Sequence, residues 1–109
     1  MANPKPVTVT LDNSVPPNFY FNPDPVPVDR GNATITWVQG STNFSFAALA
    51  FDHPNPFSNI VVTPMQITAD DDNEAKKDHR YAILVSVNGT YYSSRPGGIG
   101  AGGPTIRNN

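Results

Sequence analysis

Arg80-Tyr81-Ala82-Ile83-Leu84-Val85-Ser86-Val87, then Asn88-Gly89, then Thr90-Tyr91-Tyr92, is the stretch whose reading decides the fold. Two runs of β-branched, aromatic and other apolar residues flank the dipeptide best suited to a two-residue hairpin. Both turn positions need φ above zero, which Asn and Gly adopt at little cost. The chain is therefore built of strands here, and the same grammar extends in both directions.

Upstream, Pro6-Val7-Thr8-Val9-Thr10-Leu11 alternates apolar and polar residues with period two, the pattern of a strand with one buried face. Ala33-Thr34-Ile35-Thr36-Trp37-Val38-Gln39 alternates again, which puts Ile35 and Trp37 on one face and makes Trp37 the expected core anchor. In the run 43–51, Phe44 and Phe46 share one phase, while Leu49 and Phe51 share the other. A β-bulge near Ala47-Ala48 is expected, because one extra residue reverses the phase. Ile60-Val61-Val62 and Met65-Gln66-Ile67-Thr68 read as two short strands or one interrupted at Pro64. Asn22-Pro23-Asp24-Pro25-Val26-Pro27-Val28 lacks ladder donors at its prolines and is expected at an edge or in a loop. The glycine-rich run 96–103 reads as a flexible arm, after which Thr105-Ile106-Arg107 can add a last short strand.

Composition agrees with strands and turns. The 109 residues include 12 prolines and 8 glycines, which argue against long helices, and 38% hydrophobic against 15% charged residues, enough apolar content to fold. Seven to nine strands with regular turn signals predict a single all-β domain over 1–109, an antiparallel β-sandwich of immunoglobulin-like or Greek-key type. The absence of cysteine excludes disulfides and thiolate-bound metals. A net charge of −2, with only 7 Lys plus Arg, gives no footprint for nucleic acid or anionic lipid. No apolar run is long enough for a membrane-spanning helix, and Met1 to Leu11 lacks the blocks of a signal peptide, so the expectation is a soluble, cytoplasmic protein.

Few residues suggest chemistry. Asp70-Asp71-Asp72-Asn73-Glu74 is the one concentrated acidic cluster, and Asp70, Asp72 and Glu74 are the candidate ligands should a calcium ion bind. Ala75 and Tyr81 occupy positions where a calcium loop of the EF-hand kind needs Gly and Glu, so the favoured reading is a solvated interstrand loop without a cofactor. His53 and His79 share no ligand spacing and read as surface or loop residues. No nucleophile elbow is present. Core packing accounts for most of Phe19, Tyr20, Phe21, Tyr91 and Tyr92, and a sugar- or peptide-binding face is the alternative they offer. Neighbours on a strand point to opposite faces, so at least one member of each group is expected outside.

The C-terminal third resembles the DP-EP family of small bacterial β-sandwich proteins. The resemblance rests on Asp71-Asp72-Asn73, Arg80-Tyr81 and Gly103-Pro104-Thr105-Ile106-Arg107-Asn108, with Phe51, Asn55-Pro56-Phe57-Ser58 and Ile60-Val61-Val62 upstream. It implies a self-processing endopeptidase-like activity at a terminal Asp-Pro bond, with Asp71, Asp72, Arg80, Gly103 and Pro104 at the implied site. Gly103 stands where that family has the aspartate, so cleavage there is expected to be lost. The leading expectation is a non-enzymatic protein that self-associates through the C-terminal arm, as a homo-oligomer, or binds a partner. A self-cleaving protein and a calcium- or carbohydrate-binding module are the alternatives.

Overall fold

The computed structural model describes residues 3–24, 26–28, 32–51, 57–71, 78–94 and 104–108. Ten strands occur among them: β1 (Asn3–Leu11), β2 (Phe19–Asn22), β3 (Val26–Val28), β4 (Ala33–Gln39), β5 (Ser45–Phe51), β6 (Phe57–Val62), β7 (Gln66–Asp71), β8 (Asp78–Val87), β9 (Thr90–Ser93) and β10 (Thr105–Asn108). They form two sheets, one ordered β2-β1-β4-β7-β6 and the other β3-β10-β8-β5, with β9 also on β8. The fold is a β-sandwich, as expected, with more strands than the seven to nine read from turn spacing. Its sheets are mixed: β1 runs parallel to β4 and β10 parallel to β3, while the other pairings are antiparallel.

The alternation in the sequence becomes the core. Val7, Val9 and Leu11 of β1, Ile35 and Trp37 of β4 and Ile67 and Ala69 of β7 are buried on one sheet, facing Tyr81, Ile83 and Val85 of β8 and Ile106 of β10 on the other. Trp37 is fully buried and meets Tyr81 across the sandwich with ring centroids 5.2 Å apart, edge to face. Burying such side chains stabilises by roughly 1.5–3 kcal/mol each, the term that holds the two layers together.

Three local details follow the sequence closely. The β8–β9 pairing closes on Asn88-Gly89, with φ of 51° and 84°. The register of β5 on β8 slips between Phe46 and Ala48, so Phe44, Phe46, Leu49 and Phe51 all pack on the core, two from each side of the bulge. The exposed Ala47 is the extra residue. Val26-Pro27-Val28 forms β3 at the end of its sheet, where a missing proline donor is tolerated. Gly40 lies where the end of β4 closes on β1. Its amide donates to the Val9 carbonyl at 2.6 Å, and a Cβ there would overlap the side chains of Thr8 and Thr10.

One flank of β8 is shared. Val87 to Leu84 pair with β9, whereas Arg80 to Asp78 pair with β10, which in turn carries β3. The strand expected at Thr105-Ile106-Arg107 thus pairs within its own sheet. The glycine-rich run 96–103 lies outside the described residues.

The main departures are buried polar residues. His79, expected at the surface or in a loop, is 1% exposed on β8 and meets the Phe57 ring edge to face at 5.2 Å. It shares the inward phase of Tyr81, Ile83 and Val85, and the strand begins two residues earlier than Arg80. Asp71, expected in a solvated loop, is fully buried at the end of β7, opposite Ala33 and Phe57. Strand β7 runs through Asp70 and Asp71, so alternation, not charge, sets their orientation.

Candidate functional site

The two aromatic groups singled out in the sequence come together. Among the described residues, β2 is the outer strand of its sheet and β9 pairs with β8 alone. Between these two edges lies a groove of about 820 Å³, lined by Phe19, Tyr20 and Phe21 on one side and by Tyr91, Tyr92, Ser93 and Ser94 on the other. Pro16, Pro17, Asn18, Asp24 and Pro104 complete the wall. Its volume falls in the range of ligand-binding clefts.

Strand alternation decides what each ring does. Phe19, Phe21 and Tyr92 are half-buried and pack against the core, forming the floor, whereas Tyr20 on β2 and Tyr91 on β9 take the outward phase and are 57% and 64% exposed. The floor is fixed by ring contacts: Phe19 stacks with Phe21 at 6.2 Å, and Phe21 meets Tyr81 edge to face at 5.9 Å. The loop entering β2 is tied down by Asp12. Its carboxylate accepts the Asn18 amide at 2.9 Å, the Asn18 side-chain nitrogen at 2.7 Å and the Ser14 amide at 3.0 Å. The hydrogen bonds from Asn18, and then from Ser14, hold the Asp12 carboxyl below its ordinary value of 3.8.

The polar side chains of the lining are largely engaged within the protein. Asn18 is bound to Asp12, the Asp24 Oδ1 accepts the Thr105 amide at 3.1 Å, and the Ser94 hydroxyl accepts the Ile83 amide at 2.9 Å. Asp24 is the one charged residue in the lining among the described residues. Among the described residues the groove therefore offers aromatic surface and one carboxylate.

Of the residues implied by the DP-EP resemblance, Arg80 and Pro104 come together where β10 joins β8, and Asp71 lies on the other sheet. Asp72 and Gly103 lie outside the described residues. Asp71 is buried in the first sheet, and Arg80 is exposed on β8 of the second. Pro104 is buried just before β10, its carbonyl accepting the Tyr81 amide at 3.2 Å. Of the candidate calcium ligands, Asp72 and Glu74 lie outside the described residues. Asp70 accepts the Thr34 hydroxyl at 3.1 Å on one oxygen and the Asn59 side-chain nitrogen at 2.9 Å on the other, bracing β7 to β4 and β6. Among the described residues no group of three or more potential metal ligands gathers, and no helix is long and apolar enough to cross a membrane.

Sequence reasoning passed over Pro16, Pro17 and Ser94 as groove residues. A proline pair after a strand marks a break, and nothing local tells that the break walls a cleft. No protein-family model matches the chain, and no curated protein matches it closely.

Proposed function

We propose that the chain is a non-enzymatic binding module, that the groove between β2 and β9 is its site, and that it takes an extended polypeptide segment of a partner. The observation that carries this reading is a groove between two strand edges with an aromatic floor of Phe19, Phe21 and Tyr92 and two exposed tyrosines, Tyr20 and Tyr91, in its lining. Exposed rings bordering a concave apolar surface gain free energy when a ligand covers them, and Tyr does so at low cost in side-chain entropy.

A carbohydrate is the second reading, favoured by the same exposed rings. Sugar rings also demand several polar side chains for their hydroxyls, and those of Asn18 and Ser94 and one oxygen of Asp24 already have partners within the fold. Assembly through the C-terminal arm is less favoured, since Thr105–Asn108 is used between β3 and β8.

The test is selection of heptapeptides from a random display library on the intact protein, followed by calorimetry with the Tyr20→Ala and Tyr91→Ala variants. Each substitution is expected to weaken the selected peptides at least tenfold while leaving the melting temperature nearly unchanged, because both side chains are mostly exposed. If cello- or chito-oligosaccharides bind in a Tyr91-dependent way and no peptide does, the site is a carbohydrate site instead.

A further inference from the structure

We infer that the segment docks by strand addition, pairing its backbone with the edge of β2 turned away from β1, where no described strand pairs, and setting a basic side chain beside Asp24. This rests on the groove being the binding site and adds how the ligand is held.

The hydrogen bonds around β1 fix which way each peptide group of β2 points. The Val9 carbonyl accepts the Gly40 amide and the Leu11 amide donates to the Ser41 hydroxyl, so the odd-numbered residues of β1 turn toward β4. The Asp12 amide donates to the Asn18 carbonyl, so the even-numbered residues turn toward β2. Thr8 and Thr10 are the register partners of Asn22 and Tyr20, which makes these the hydrogen-bonded pairs. Phe19 and Phe21 must then direct their N–H and C=O groups away from β1, on the side where the groove opens.

Two such peptide groups, spaced by two residues or about 6.8 Å, match the repeat of an added strand. A sugar ring has no such repeat. The neighbouring rings supply side-chain contacts while the backbone supplies the hydrogen bonds, the division of labour that marks strand addition. Asp24, the one charged residue of the lining among the described residues, adds polarity to the ligand. Asp24 uses its Oδ1 for the Thr105 amide, which leaves Oδ2 to face a Lys or Arg of the incoming segment.

The test uses the intact protein and a heptapeptide selected on it, resynthesised with one backbone nitrogen methylated at a time. Methylation at the alternate positions facing β2 is expected to weaken binding at least tenfold, while at the intervening positions it changes binding less than about threefold. Asp24→Asn is expected to weaken a peptide carrying Lys or Arg at one end by threefold or more and to leave its norleucine analogue unchanged. Tyr91-dependent binding that tolerates methylation at every position overturns strand addition and leaves the groove reading standing. Binding that ignores both tyrosines, or failure to recover any peptide, overturns the groove reading as well.

Discussion

The two outer strands of the first sheet, β2 and β6, pose the same physical problem and meet it differently. Each has a neighbour on one side only, and each carries exposed apolar residues: Tyr20 on β2, and Ile60, Val61 and Val62 on β6 at 43%, 54% and 36% exposure. Strand β6 exposes more apolar surface, yet its register on β7 slips between Ser58 and Val61, with Asn59 held at φ 52°. A bulge of this kind spoils an edge for pairing with another chain. Strand β2 keeps an unbroken register with β1 over all four residues and borders a concave aromatic floor. Exposed hydrophobicity therefore does not by itself mark a site on this molecule. A straight edge beside a cleft does.

The contrast is broken most forcefully at the floor of the groove. Phe21→Ala removes the ring wedged between Phe19 and Tyr81 and is expected to cost about 2 kcal/mol, below the range for a fully buried ring because Phe21 is half-buried. Ile60→Ala on the exposed edge is expected to stay within about 0.5 kcal/mol, both read from urea unfolding. Equal losses would mean that the two edges are equally integral to the core.

Next comes the bulge itself. Asn59→Val forces a β-branched residue into the left-handed region and removes the donor to Asp70, at an expected cost of about 1–3 kcal/mol. Asn59→Gly removes the same donor but keeps the backbone at ease and should lose less than the valine variant. A valine variant as stable as the glycine one would show that β6 straightens freely, and light scattering would then reveal association along the edge.

The smallest effect is a pH dependence at the entry to β2. The folded Asp12 carboxyl titrates below 3.8, so its stabilising contribution is complete above that value and is lost as pH falls through the lower, folded value. Asp12→Asn should flatten the fall in melting temperature below about pH 4. An unchanged slope would assign the acid sensitivity to other carboxylates.

Much of this architecture was legible because it is local. Asn88-Gly89 dictates its hairpin from two residues, and the phase change from Phe46 to Leu49 reveals a bulge to anyone counting alternation. Trp37 lies in the phase of Ile35 and is buried with it. The parallel pairings β1–β4 and β3–β10 were not legible, since they join strands far apart in the chain and leave no periodic trace. The burial of His79 and Asp71 is not legible locally, since it follows only once β8 is known to begin at Asp78 and β7 to run through Asp71. At the groove the sequence indicated the members and their alternate exposure. It was silent on the meeting of Phe19-Tyr20-Phe21 with Tyr91-Tyr92, which requires the edges of two different sheets to close on one another.

The chain of rings from the groove floor through Phe21 and Tyr81 to Trp37 has an optical consequence. The chain has one tryptophan and four tyrosines, and the tryptophan is sealed between the sheets. Its emission should be blue-shifted while the layers stay together and should move to longer wavelength when they part. Light absorbed by the tyrosines of the groove can be passed on to that single acceptor. Excitation at the tyrosine band adds transfer from Tyr81 and from the groove tyrosines to direct excitation of the tryptophan, whereas excitation at the red edge reports on the core alone, so a change seen only in the first channel is a change among the tyrosines.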